Sequence, residues 1–253
     1  MSSKDLRSIA RDYLSREPVV NSYQLARLSE EESEVFLKGE EKPSGVLLRR
    51  EGTITMRGRY EAIKELLAEN IEKGDEYRFH AVDPNSFRAA QKLLKIEDDR
   101  PTWLLRREYE KPREPETEVE PLKEEDAQVI NNYWGLSDSD STDYIKERIE
   151  KGPAYGVRKE DELVGWSLTH FITDKTIVLG MLHIKEDWRR RGFAKDLTEK
   201  LCLIAEEKDL VPAVQIFKDN ESSISLASDL GFEIRADHHW FTGSRGEDSA
   251  SPA

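Results

Sequence analysis

The sequence predicts an α+β fold, a mixed α/β chain built as two tandem halves. Three observations carry this. Apolar stretches of strand length alternate with amphipathic stretches of helix length, without the regular βα succession of a doubly wound sheet. A Pro- and Glu-rich segment, residues 108–121 with Pro112, Pro115 and Pro121, divides the chain near residue 115. On either side the elements follow a similar order: strands, a helix, a strand, a helix opened by Asp or Asn, and a closing strand that contains Trp.

In the first half, Leu6, Ile9, Ala10 and Leu14 give residues 1–16 a helical stripe, and a short helix is expected over Glu31–Lys38. Gly45–Arg50 and Thr53–Met56 read as strands joined by the Glu51-Gly52 turn. Ile63, Leu66, Leu67 and Ile71 mark a helix over 60–72 that Gly74 closes. Tyr77–Val82 reads as a strand, Asn85–Leu94 as a helix begun by Asp83-Pro84, and Thr102–Leu105 as the last strand.

In the second half, helices are expected over Lys123–Trp134 and Ser141–Glu150, then strands over Ala154–Arg158, Leu163–Phe171 and Thr176–Ile184. A helix to Lys208, a strand over Val211–Phe217, a helix over Asn220–Leu230 and a strand over Glu233–Phe241 follow. The predicted domains are therefore 1–115 and 116–243, with a disordered Gly/Ser tail over 244–253.

Composition sets outer bounds. The 253 residues suffice for one large domain or two small ones. A net charge of −13 disfavours nucleic acid and anionic membrane as partners, since both select basic surfaces. Cys202 is the single cysteine, which excludes an internal disulfide and fits a reducing cytoplasm. Without an 18-residue apolar run or a charged-then-apolar leader, a soluble cytoplasmic protein is expected. No metal is expected, and the oligomeric state cannot be read from the sequence.

One stretch departs from the acidic background. The apolar strand ending at Leu182-His183-Ile184 is followed by Arg189-Arg190-Arg191-Gly192-Phe193-Ala194-Lys195 and a helix with Ala194, Leu197, Leu201 and Ile204 on one face. A helix start offers unpaired N–H groups and partial positive charge, and a glycine lets a ligand approach the backbone. Strand, arginine turn, glycine and helix start together describe a phosphate cradle. The first half has Met56-Arg57-Gly58-Arg59-Tyr60 at the equivalent place and lacks the motif.

The spacing Arg189-x-x-Gly192-x-Ala194 resembles the pyrophosphate loop of the GNAT superfamily of acyl-CoA N-acyltransferases. Asn220-Glu-Ser-Ser223-Ile-Ser-Leu226-Ala-Ser-Asp-Leu230-Gly231-Phe232 resembles that superfamily's next motif, in the right order with one strand between. Val129–Trp134, Tyr144–Arg148, Val164–Leu168 and the tandem layout are similar to the glycine N-acyltransferases and their FR47-like domain. The resemblance implies tandem GNAT-like domains, the first degenerate and without the cofactor loop. It also implies acetyl-CoA or another acyl-CoA as cosubstrate and a small amine or amino acid as acceptor. Leu182, His183 and Ile184 would pair with the pantetheine arm. Arg189, Arg190, Arg191, Gly192, Phe193, Ala194 and Lys195 would take the phosphates, and Asn220 and Ser223 would touch the arm.

Two positions depart from the family pattern: Val178 stands where a catalytic Glu is frequent, and Ala227 where a Tyr acid is frequent. A non-catalytic acyl-CoA binder or regulator therefore remains the alternative to an enzyme, and release of free thiol separates them. Water is the first candidate to accept the amine's proton; of the histidines, His183 comes next, and His170 and His239 follow. In a regular strand Val178, Gly180, Leu182 and Ile184 share a face and His183 points the other way, whereas a bulge at Gly180 would reverse this. Cys202, off the apolar stripe, is expected to pack or to lie at the surface rather than react.

Overall fold

In the computed structural model, residues 3–108, 111–134 and 140–246 are described. The chain forms two compact units that do not follow chain order. Unit 1 comprises Met1–Leu104, Ile216–Asn220 and Arg235–Ala253; unit 2 comprises Leu105–Gln215 and Glu221–Ile234. The clean division at 115 is thus replaced by an exchange of segments. Its physical cause is strand pairing: β11 (Glu233–Ser244) runs antiparallel to β4 (Glu76–Val82), with Phe241 opposite Phe79 and Ser244 opposite Glu76.

Unit 1 contains α1 (Ser3–Leu14), α2 (Ser22–Ser29), β1 (Glu34–Lys38), β2 (Gly45–Arg50), β3 (Thr53–Gly58), α3 (Tyr60–Asn70), β4, α4 (Pro84–Leu93), most of β5 (Lys95–Arg106) and most of β11. Its strands lie in the order β1-β2-β3-β4-β11-β5. β2 is apolar from Val46 to Leu48, where both sheet faces are covered, and ends in the half-buried Arg49 and Arg50. Val46 and Leu48 pack with Ala10, Leu14, Leu25 and Leu28 of α1 and α2, while Leu47 joins Ile63, Leu66 and Leu67 of α3 on the opposite face.

The expected helix over Glu31–Lys38 is instead β1, paired antiparallel with β2 from Glu34↔Arg49 to Lys38↔Gly45. Glu, Leu and Lys favour helix locally, but cross-strand pairing overrides that weak preference. Gly74 does not close α3, whose C-cap is Ile71. It lies beyond, left-handed, with its N–H on the Arg245 carbonyl. The last strand runs to Ser244, and Arg245 bridges Lys73 and donates to the Ala68 carbonyl. The tail expected to be disordered from 244 is therefore held through 246; 247–253 lie outside the described residues.

Unit 2 contains β6 (Glu120–Pro121), α5 (Asp126–Asn131), α6 (Thr142–Lys151), β7 (Ala154–Lys159), β8 (Glu162–Ile172), β9 (Thr176–Ile184), α7 (Phe193–Glu207), most of β10 (Val211–Phe217) and α8 (Glu221–Asp229). The strand order is β10-β9-β8-β7-β6. One face buries Trp166, Leu168 and Met181 under Ala127, Ile130 and Ile145 of α5 and α6. The other buries Val157, Val164 and Ile184 under Phe193 and Leu197 of α7.

A capping prediction follows from unit 1. Asp83 is 4% exposed and accepts from the amides of Asn85 at 3.0 Å and Ser86 at 3.3 Å, closing the N-terminus of α4 with Pro84 in its first turn. Asp83→Ala is expected to lower stability by about 1–2 kcal/mol. Urea unfolding checks this through the midpoint.

Candidate functional site

β9 and β10 are parallel neighbours whose pairing runs from Thr176↔Val211 to Leu179↔Val214 and ends there. β9 continues to Ile184 and β10 to Phe217. From Gly180 onward β9 is held through β8 on its other edge: His183 faces Trp166 and Ile184 faces Gly165.

The β8–β9 register contains an extra residue. Trp166 faces His183 but Leu168 faces Gly180, so three steps on β9 match two on β8. Met181 takes up the difference with φ 51°, in the left-handed region that a non-glycine residue rarely adopts. The bulge lies one residue beyond Gly180, the position considered for it as the alternative to a regular strand. Gly180 and Met181 consequently look to the same face. A Cβ on Gly180 would sit 2.1 Å from the His170 ring, and Met181 packs under α5 and α6. Leu182 and Ile184 turn to the α7 side, and His183 turns back toward α5. The regular-strand arrangement, with Leu182 sharing the face of Gly180, does not hold.

His183 lies against Trp166 (centroids 4.9 Å apart, 23° between planes) and Tyr133 (4.9 Å, 44°). Its Nε2 is buried without a hydrogen-bond partner. Burial pushes its pKa below the usual imidazole value, and the charges of Arg189 and Lys185 push the same way. The lowered pKa favours the neutral ring, and Nε2 has no hydrogen-bond partner among the described residues. His170 stands apart, its Nδ1 3.2 Å from the Tyr144 hydroxyl and its ring on Gly180. Burial, with Arg148 adding, lowers its pKa to about 4. Val178 and Ala227 are both buried and have hydrocarbon side chains, so neither position can donate or accept a proton.

The turn after β9 carries three consecutive arginines, Arg189, Arg190 and Arg191. A 3-10 turn over Glu186–Trp188 leads into Arg189, whose Nε donates to the Ile184 carbonyl at 3.1 Å. One of the three strand residues expected to meet pantetheine therefore has its carbonyl engaged. Arg191 donates to the Asp187 carbonyl at 3.2 Å and its guanidinium stacks 4.6 Å over the Trp188 ring. Arg190 is left-handed at φ 60°, and Gly192, the N-cap of α7, at φ 86°. The first helical bond runs from the Asp196 amide to the Gly192 carbonyl at 3.0 Å. The amides of Phe193, Ala194 and Lys195 precede it, where a helix leaves N–H groups to outside partners. A Cβ on Gly192 would meet nothing within 4 Å, so the space beside this glycine is open.

The equivalent place in unit 1 is closed. A Cβ on Gly58 would fall 2.6 Å from the Gly45 Cα, and the N-cap of α3, Arg59, is extended at φ −72°. β3 and β4 pair only at Thr53↔Arg78 and Ile54↔Phe79. Beyond that, Gln24 of α2 fills the gap, its Nε2 donating to Thr55 Oγ1 at 2.9 Å and to the Ala81 carbonyl at 2.8 Å.

Sequence reasoning missed one part of the site. Asp196, Thr198 and Glu199 are polar and yet buried on α7. Segment 111–119, expected as a linker, covers them. Glu116 and Thr117 donate their amides to Asp196 (3.2 and 3.0 Å), and Arg113 donates its amide to Glu199 (3.1 Å). Arg107 adds Nη1 to Glu199 at 2.8 Å and Nη2 to the Lys111 carbonyl at 3.0 Å. The acidic pair at i and i+3 gave no signal of its own, because a carboxylate pair on an amphipathic helix ordinarily faces water. Cys202, 2% exposed beside this cluster, has its thiol pushed up to about 12 by burial, so it packs. Asn220 immediately precedes α8, and Ser223 lies in its first turn. Among the described residues no cluster of His, Cys, Asp or Glu is arranged to hold a metal ion. No described helix is long and apolar enough to cross a membrane.

A family model described as the acetyltransferase (GNAT) family matches residues 102–232. No curated protein matches the chain. Several solved structures share its fold. A Drosophila protein superposes with a TM-score of 0.76 at 16% identity, covering 96% of both chains. A GCN5-related N-acetyltransferase of Sphaerobacter thermophilus gives 0.64 at 12%, covering 100% of this chain and 97% of its own. A tandem GNAT protein from the clavulanic acid biosynthesis pathway gives 0.59 at 13%, covering 93% of each.

Two outcomes test the histidine geometry. Gly180→Ala drives a methyl into the His170 ring and is expected to cost about 1–3 kcal/mol of stability. The His170 ring is buried neutral, so its contribution is complete above its unfolded pKa of about 6.5 and is lost as pH falls toward its folded value. His170→Gln should therefore flatten the stability–pH curve between about 6.5 and 4, read by urea unfolding at several pH values.

Proposed function

The chain belongs to the acetyltransferase (GNAT) family, and we propose that it is an acyl-CoA-dependent N-acyltransferase acting on a small amine, with acetyl-CoA the simplest donor. The observation that carries this reading is the start of α7: a left-handed glycine with open space before it, three leading amides and three arginines. That donor set fits a pyrophosphate. Bound acyl-CoA supplies an activated thioester carbonyl.

The chain's own residues do the rest. Phe193, Ala194 and Lys195 offer amides to the phosphates, with Arg189, Arg190 and Arg191 around them. Leu182 and His183, on the edge of β9 where pairing with β10 has ended, offer backbone groups to the pantetheine arm. Asn220 and Ser223 serve the same arm from the next segment. His183 takes the proton of the attacking amine, directly or through a water, because its ring is neutral and its Nε2 has no partner. His170, engaged with Tyr144, is the weaker candidate. Only the C-terminal half of the chain takes the cofactor, because Gly58 and Gln24 close the equivalent place in the first half.

A second reading, an acyl-CoA binder without turnover, is favoured by the buried apolar side chains of Val178 and Ala227. Release of free thiol from acetyl-CoA against a panel of amines decides between the two.

Gly192→Asp places a carboxylate where phosphate oxygens would sit and strains a left-handed backbone. CoA affinity, by calorimetry on the folded variant, is expected to fall at least about tenfold, or about 1.4 kcal/mol. Unchanged affinity would remove the reading. For the base, the acidic limb of the pH–rate profile is expected below about 6.5, the ordinary imidazole value, because the His183 pKa is lowered. His183→Gln should abolish or displace that limb; an unmoved limb assigns His183 to packing.

A further inference from the structure

Asp196 stands in the first turn of the helix whose leading amides are proposed above to hold phosphate. A carboxylate there works against an anionic ligand. It competes for the positive end of the helix, and it repels a phosphate placed within the rise of one turn, about 5 Å. The side chain is 7% exposed, so water does little to screen it. Yet both of its oxygens are occupied: Oδ1 accepts from the Glu116 amide at 3.2 Å and Oδ2 from the Thr117 amide at 3.0 Å.

One turn on, Glu199 is 2% exposed and binds the same strap through the Arg113 amide and Arg107. Arg107 in turn holds the Lys111 carbonyl, and its own amide donates to the Pro212 carbonyl at 3.0 Å. Two carboxylates and one buried guanidinium thus fasten a segment with almost no apolar residues along the first turns of α7. The interaction is polar and local, and it ends at the phosphate turn.

Resting on the function proposed above, we infer that the strap is a working part of the cofactor site. The amides of Glu116 and Thr117 absorb the charge of Asp196 and keep its oxygens committed, so that the amides of Phe193–Lys195 and the three arginines face phosphate without a competing anion. Asp196, Glu116 and Thr117 are positioning residues in this arrangement and touch no reacting atom.

The test is titration calorimetry with CoA on four full-length proteins: wild type, Thr117→Pro, Asp196→Asn and the double variant. Thr117→Pro removes one compensating N–H and leaves Asp196 charged; CoA affinity is expected to fall about tenfold. Asp196→Asn in the same background removes the uncompensated charge and is expected to restore most of that loss. Rescue is the readout that a purely structural strap would not give. Weakened binding without rescue overturns the inference, as does unchanged binding in a folded Thr117→Pro. Glu116→Pro, which removes the other amide, repeats the comparison should Thr117→Pro fail to fold. Absence of CoA binding to wild type sinks the proposed function and the strap together, whereas a wild type that binds and a Thr117→Pro that binds equally sinks the strap alone.

Discussion

The arrangement of unit 2 depends on a single extra residue in β9. Because three residues there match two on β8, the alternation of side chains changes phase at Met181. Without that change, Leu182 and Ile184 would share the face of Gly180 and could not pack on Phe193 and Leu197 of α7. α7 would then lose part of the apolar ground that holds its first turn beneath the arginines. The same phase change turns His183 toward Trp166 and Tyr133. A left-handed non-glycine residue costs roughly 1–3 kcal/mol, and the packing on both faces of β9 offsets it.

From that point outward the site is a matter of backbone groups left without partners. β9 keeps β8 on one edge while its pairing with β10 ends at Leu179, and α7 begins with three amides ahead of its first internal bond. Unit 1 has comparable elements and a comparable early end to the β3–β4 pairing. There the loose edges are bridged by Gln24 and the helix start is crowded at Gly58. The difference between an open and a closed site thus rests on one inserted amide side chain and on the space in front of one glycine.

Much of this was legible in the sequence. β9 and β10 fall on the residues that apolar runs marked, and Gly192 occupies the left-handed helix-start position its type suggests. What escaped were features set by partners distant in the chain. β1 was read as helix because Glu, Leu and Lys carry local helix preference, and only β2 makes it a strand. A bulge at Gly180 was the alternative to a regular strand, whereas the left-handed residue is Met181, which packs in the core beneath α5 and α6. The strap was read as a linker because it buries little apolar surface, yet its amides bind Asp196 and its Arg113 amide binds Glu199. The pairing of β11 with β4 across more than a hundred residues has no local signal at all.

The central claim is that one acyl-CoA is held by the backbone amides that open α7. Amide chemical shifts of the isotope-labelled protein, followed by NMR during titration with CoA, test it most directly. The account predicts the largest saturable shifts at Gly192, Phe193, Ala194 and Lys195, with Arg59 and Tyr60 of unit 1 unmoved. Shifts centred on Arg59 and Tyr60, or none at the start of α7 at saturating CoA, would contradict it.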